Sequence, residues 1–182
     1  DALTDADNNV AVGRSALGSD TLGSKSTAVG RGALGAQNFT TATDSNNTAV
    51  GYTAGNSVTT GTYNSFLGAA AGLNVTTGAN NTAVGALALE STTVGTNNVA
   101  VGQASLFTTG THNSFLGAAA GLNVTTGLRN TLIGALAGDA LTDADSNVAV
   151  GANALAADTL GSRSIAIGQG ALFNQNFTTA TD

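Results

Sequence analysis

The chain has 182 residues, 42% hydrophobic but only 4% aromatic, with Ala and Gly supplying much of the remainder, so a thick globular core is not expected. A formal charge of −6 and a pI near 4.3, with no basic patch, argue against nucleic acid or an anionic membrane surface as partner. No apolar run approaches the roughly 20 residues of a membrane span, no charged-then-apolar segment opens the sequence, and the absence of Cys excludes disulfides and thiolate metal sites.

From the N-terminus onward the chain repeats a five-residue core: Asn or Ser; Thr, Val, Ser or Ile; Ala, Phe or Leu; Val, Leu or Ile; then Gly. The first copy is Asn9-Val-Ala-Val-Gly13, and later copies close at Gly30, Gly51, Gly68, Gly85, Gly102, Gly117, Gly134, Gly151 and Gly168. Successive closing glycines are 17, 21, 17, 17, 17, 15, 17, 17 and 17 residues apart. The fourth position is aliphatic in all ten copies: Val12, Val29, Val50, Leu67, Val84, Val101, Leu116, Ile133, Val150 and Ile167. That regularity predicts a core-facing ladder. Three residues after each closing glycine stands a small residue, Ala16, Ala33, Ala54, Ala71, Ala88, Ser105, Ala120, Ala137, Ala154 or Ala171, which predicts close packing. The residue after it is Leu (Leu17, Leu34, Leu89, Leu106, Leu155, Leu172) or Gly (Gly55, Gly72, Gly121, Gly138), giving two coil variants that alternate irregularly.

A second glycine shortly before most new cores (Gly23, Gly61, Gly78, Gly95, Gly110, Gly127, Gly161), followed closely by Asn, predicts tight turns with positive φ. Between turns the pattern has period two, as in Ser164-Ile-Ala-Ile-Gly168, which predicts strand. Helix is disfavoured, because a glycine every eight or so residues costs about 1 kcal/mol each against Ala. Each coil is expected to hold two short strands and two turns, and a lone coil buries almost nothing, so coils must stack. The predicted class is an all-β parallel roll or solenoid of ten coils of about 17 residues, about 45 to 50 Å long at ~4.8 Å per strand. Val and Ile ladders are expected inside, and Asn and Thr ladders at turns and on the surface.

A longer period lies above the first. Residues 139–182 match residues 1–44 at an offset of 138, with 33 of 44 identical, and 64–78 recurs unchanged at 113–127. Residues 1–182 therefore read as a single repeat array: 1–138 is one eight-coil superrepeat and 139–182 the start of the next. Beginning and ending inside a repeat, without an initiator Met, predicts a fragment of a longer fibre.

The segments Ser164-Ile-Ala-Ile-Gly168, Asn147-Val-Ala-Val-Gly151 and Asn81-Thr-Ala-Val-Gly85 resemble the head repeat of trimeric autotransporter adhesins (YadA-like) and phage tail-fibre shafts built from Asn-Thr-Ala-Val-Gly coils. The resemblance spans the chain, and ten copies in register make it specific; the 17-residue coils with Thr-Thr-Gly turns fit the tail-fibre version better. It implies a left-handed parallel β-roll, a homotrimer of chains side by side, and an extracellular place on a virion or cell surface. By the same analogy the small ladder from Ala16 to Ala171 is where subunits approach.

The chemical inventory is thin. His112, the single histidine, occupies a position held elsewhere by Tyr63, Asn80, Asn97 and Arg129, and reads as a surface turn residue without the positioned partner a general base requires. Asp5, Asp7 and Asn9, with their copies Asp143, Asp145 and Asn147, match the first half of a calcium loop, but Val10 and Val148 stand where such a loop needs Gly and no bidentate Glu follows. They are weak calcium candidates, and a solvated acidic turn is the plainer reading. Asn-x-Thr sequons at Asn38, Asn46, Asn74, Asn80, Asn123 and Asn176 follow from the repeat's own composition. The pairs Thr59-Thr60, Thr76-Thr77, Thr108-Thr109 and Thr125-Thr126 suggest an ice-binding array, but adjacent strand residues point to opposite faces. The expected function is a structural shaft segment of a trimeric extracellular fibre. It would not be an enzyme, would use no cofactor, and would have as partners its own copies, further coils of the same chain and a surface receptor or glycan. The alternative is a monomeric solenoid binding ice or glycan through a flat face.

Overall fold

The computed structural model describes residues 6–91, 93–106 and 110–180. It is an all-β parallel solenoid of about nine turns, with no helix among the described residues. The strands are β1 (Val10–Val12), β2 (Gly23–Ser24), β3 (Thr27–Val29), β4 (Thr43–Asp44), β5 (Thr48–Val50), β6 (Ser65–Leu67), β7 (Thr82–Val84), β8 (Val99–Val101), β9 (Ser114–Leu116), β10 (Thr131–Ile133), β11 (Val148–Val150) and β12 (Ile165–Ile167). Ten of them form one parallel sheet in the order β1-β3-β5-β6-β7-β8-β9-β10-β11-β12, while β2 and β4 pair separately.

Every core motif pairs with its equivalent in the next coil. Thr27 stands against Thr48 across the 21-residue spacing, and Val99 against Ser114 across the 15-residue spacing. Insertions and deletions are thus absorbed outside the sheet. Two strands per coil are not found as the rule; the remainder of each coil is built from turns. The closing glycine and the residues two and four places beyond it all have positive φ, as in Gly85 (+127°), Leu87 (+61°) and Leu89 (+55°), and such a run cannot stay extended.

The alternation of faces is the reverse of the sequence expectation. The third core position points inward: Ala28, Ala49, Phe66, Ala83, Ala100, Phe115, Leu132, Ala149 and Ala166 are all buried. The fourth, expected in the core, points outward. Val12, Leu67, Leu116, Ile133 and Ile167 are exposed, while Val29, Val50, Val84, Val101 and Val150 are half-buried. The small ladder expected at a subunit interface lies in the interior of the single chain: Ala33, Ala54, Ala71, Ala88, Ser105, Ala120, Ala137 and Ala154 are fully buried, and Ala16 and Ala171 pack against the same cluster.

The first position decides this. Period two puts positions one and three on the same side, and the Asn at position one has hydrogen bonds to make inside the coil. In Asn9, Asn47, Asn64, Asn81, Asn98, Asn113, Asn130 and Asn147 the side-chain amide donates to a carbonyl near the end of its own coil, such as Gly61, Gly78 or Gly95, at 2.7–2.9 Å. Its Oδ1 accepts the backbone N–H of the next position-one residue at 2.8–3.1 Å. From Asn47 to Asn147 these side chains are buried, so the asparagine ladder expected on the surface is an internal polar spine. Leaving one such buried group unpaired costs about 1–3 kcal/mol, whereas an exposed Val forfeits only its share of burial.

Where Ser26 replaces Asn, a glutamine fills the gap. Gln37 accepts from Asn47 Nδ2 at 2.8 Å and donates from Nε2 to the buried Asp20 carboxylate at 2.5 Å. The copy 138 residues later repeats this, with Gln175 donating to Asp158 at 2.7 Å and to Ser164 Oγ at 2.9 Å.

The irregular coil variants also acquire a cause. A Cβ on Gly72 would stand 2.5 Å from the ring of Phe66, one on Gly121 2.2 Å from Phe115, and one on Gly138 2.9 Å from Leu132. Coils with Ala at the third core position instead carry Leu four residues beyond the closing glycine, as in Ala83 with Leu89 and Ala149 with Leu155. Ala with Leu and Phe with Gly are two ways to fill one cross-section at native density. Gly55, beside Ala49, is the exception, and there Phe66 of the next coil reaches within 2.7 Å of the missing Cβ. The closing glycines form a ladder of their own, since a Cβ on Gly51 would lie 2.3 Å from the Gly68 carbonyl oxygen. The second glycines were expected at positive φ, but Gly61, Gly78 and Gly127 do not adopt it; they are glycine because a neighbouring coil's carbonyl comes within 2.5 Å of where a Cβ would be. Positive φ falls on the residue before each core instead: Lys25, Tyr63, Asn80, His112 and Arg129 among them.

Candidate functional site: the outer face of the sheet

With positions one and three committed to the interior, positions two and four make a two-column outer face. One column is Val12, Val29, Val50, Leu67, Val84, Val101, Leu116, Ile133, Val150 and Ile167, and the other is Val10, Thr27, Thr48, Ser65, Thr82, Val99, Ser114, Thr131, Val148 and Ile165. At ~4.8 Å between strands the face runs about 43 Å. Not one of its side chains is charged. Val12 at 57% and Leu67 at 51% exposure are well above what a β-branched or γ-branched side chain in a core would show, and Ile167 reaches 70%. This uncharged aliphatic column runs the length of the sheet, which makes it the candidate interaction surface.

The other candidates do not converge. Asp5 lies outside the described residues. Asp7 is exposed, with its backbone N–H bonded to Ser24 Oγ at 2.9 Å. Asp143 accepts from the Thr126 hydroxyl, and Asp145 Oδ1 accepts the Leu128 N–H at 2.8 Å. Asn9 and Asn147 belong to the asparagine spine, so their oxygens already serve backbone N–H groups. Among the described residues no three His, Cys, Asp or Glu side chains gather as a metal site would require. His112 is exposed at φ 62° in a turn, its Nδ1 3.1 Å from Thr111 Oγ1.

Of the threonine pairs, Thr108 and Thr109 lie outside the described residues. In the others the first hydroxyl donates to the next coil's backbone: Thr59 to the Thr76 carbonyl at 3.2 Å, Thr76 to Thr93 at 2.8 Å and Thr125 to Thr142 at 3.2 Å. These hydroxyls tie coil to coil. Asn38, Asn74, Asn80, Asn123 and Asn176 of the sequons are exposed, and Asn46 is half-buried.

Among the described residues, two titrating groups are displaced from ordinary behaviour. Burial raises the Asp139 carboxyl above its usual 3.8, and its Oδ1 has no hydrogen-bond partner. Lys25 is raised above 10.5 by its hydrogen bond to and attraction for Asp44, 2.5 Å away.

The outer face was legible in principle from the pairing of Phe66, Phe115 and Leu132 with Gly72, Gly121 and Gly138. Size exchange between two positions is a sign that both point into the same interior. No helix of the described residues is long and apolar enough to cross a membrane. No protein-family model, curated protein or solved structure matches the chain.

Proposed function

We propose that this chain is a structural shaft segment of a trimeric extracellular fibre, of phage tail-fibre or surface-adhesin type, in which three left-handed β-rolls lie side by side as a rigid spacer. The observation that carries the reading is the uncharged aliphatic column from Val12 to Ile167 on the outer sheet face. In a chain of net charge −6, a face without charge is the one on which identical chains can meet without repulsion, and its occupant is a second copy of the same repeat. The subunit contact thus moves from the small Ala ladder to this column. Ten in-register strands and the 138-residue duplication favour a shaft lengthened by copying, and the resemblance of Asn81–Gly85 and its equivalents to adhesin-head and tail-fibre repeats supports an extracellular site on a virion or cell. The fibre acts without cofactor or chemistry of its own, and a surface receptor or glycan is the external partner. Light scattering on the purified chain should give a mass near three times 17.5 kDa, and a monomer mass at micromolar concentration would sink the trimer.

A second reading rests on one observation. The outer face sets Thr27 beside Val29, Thr48 beside Val50 and Thr82 beside Val84, a Thr-x-Val array that a monomeric solenoid could present to ice or glycan. It requires a monomer that produces thermal hysteresis or retains a glycan, which the same mass measurement separates from the fibre.

A further inference from the structure

Immediately beyond the closing glycines, at the edge of the stack, three successive coils carry Arg14, Arg31 and Tyr52 in one column and Ser15, Gly32 and Thr53 in the next. Backbone bonds of 2.9 Å from Gly32 N–H to the Arg14 carbonyl and from Thr53 N–H to the Arg31 carbonyl set the alignment. Together with Asn56 they line a cleft of about 270 Å³, close to the ~300 Å³ lower end of small-molecule sites.

Two of the five cations of an acidic chain therefore stand one coil apart, about 4.8 Å along the stack. Among the described residues the ion pair is Lys25–Asp44, which involves neither arginine. Arg31 is held in place: its guanidinium carbon lies 5.6 Å from the Tyr52 ring centroid, and Nη1 donates to the Tyr52 hydroxyl at 3.1 Å. Asn56 is also positioned, its Nδ2 donating to the Gly32 carbonyl at 2.7 Å, which leaves its Oδ1 to accept from a ligand.

The fold does not require these residues. The duplicated segment, 33 of 44 residues identical, carries Ala152 and Gln169 where Arg14 and Arg31 stand, and its strands pair as the first copy's do. Guanidinium pairs suit planar or tetrahedral oxyanions through charge-assisted hydrogen bonds, while the Ser15 and Thr53 hydroxyls and the Asn56 amide suit a hydroxylated scaffold. We propose that this cleft binds an acidic sugar residue, its carboxylate on Arg14 and Arg31 and its hydroxyls on Ser15, Thr53 and Asn56. This goes beyond the shaft reading and does not depend on it.

The test is a titration of the 182-residue chain, followed by NMR, with glucuronate, glucose and inorganic sulfate as separate probes, in the wild type and in Arg14→Ala and Arg31→Gln. These substitutions install what the second copy already carries, so the coils should still fold, and circular dichroism checks that they do. Saturable shifts at Arg31, Tyr52 and Thr53 with glucuronate, weakened at least about tenfold in either variant and by added salt, are the expected result. Equal response to glucose, equal affinity for sulfate, or binding indifferent to both substitutions would overturn it.

Discussion

In one coil the interior is filled by Phe115 and Gly121; in the coil before it, by Ala100 and Leu106. If these are interchangeable fillings of one cross-section, each single change should be severe and the pair mild. Phe115 is 1% exposed, so Phe115→Ala leaves a ring-sized cavity and should cost about 3–5 kcal/mol. A Leu at position 121 would begin with its Cβ 2.2 Å from Phe115 Cε2, adding about 1–3 kcal/mol of overpacking to the ~1–2 kcal/mol a non-glycine residue incurs at φ +61°. Leu106 already bears that backbone term at φ 60°. The double variant recreates the Ala100/Leu106 arrangement, so only the backbone term should remain, about 1–2 kcal/mol. The coupling between sites should reach at least about 3 kcal/mol, the top of the range for touching residues. Urea melts followed by circular dichroism, at one fixed chain concentration because association shifts the midpoint, would measure it. A double variant as unstable as the two singles summed would refute the shared-interior account.

Other consequences follow from the same geometry. Asn81→Ala removes the acceptor for the Asn98 N–H and the donor to the Gly95 carbonyl, and with two groups left unpaired should lower stability by about 2–6 kcal/mol in the same urea assay. Leu116→Glu, on the exposed outer face, should leave the circular dichroism spectrum intact while sedimentation shows loss of association, because the proposed contact between copies would then have to bury carboxylates. For Asp139 the folded state holds the proton more tightly than the unfolded chain. Its contribution to stability is therefore complete below pH 3.8 and is lost as pH rises through the elevated folded value. Asp139→Asn should raise the melting temperature at pH 7 and leave it little changed at pH 3; the reverse pattern would mean that the carboxylate is stabilised where it sits.

Much of the architecture was readable in the sequence because a stacked coil repeats its requirements. The closing glycines gave the period, the Ser164–Gly168 alternation placed the strand, and the constancy of Ala33 through Ala154 correctly signalled close packing. Which face pointed inward was not readable from hydrophobicity. Period two says that Ala83 opposes Thr82 and Val84 but not which side is the interior, and Val is the more apolar choice. The deciding group was Asn81, whose amide must pair inside the coil and takes Ala83 inward with it. Turn conformations were hidden for a related reason. Leu34, Tyr63 and Leu89 at φ 49°, 58° and 55° are poor choices for left-handed backbone taken alone, and are held there by the coils on either side. The outer face follows only by subtraction, once Asn81 and Ala83 and their equivalents are committed to the interior.

If the column from Val12 to Ile167 lies against its counterparts in other copies, labels placed on it must come close together across chains. The chain has no cysteine, so Ser114→Cys, beside Leu116 on the outer face, and His112→Cys, in an exposed turn two residues earlier, each accept one spin label. Contact through the column predicts strong inter-chain dipolar coupling from position 114 and much weaker coupling from position 112, both removed when labelled chain is diluted into unlabelled chain before assembly. Equal coupling at the two positions, or none at 114, would contradict it.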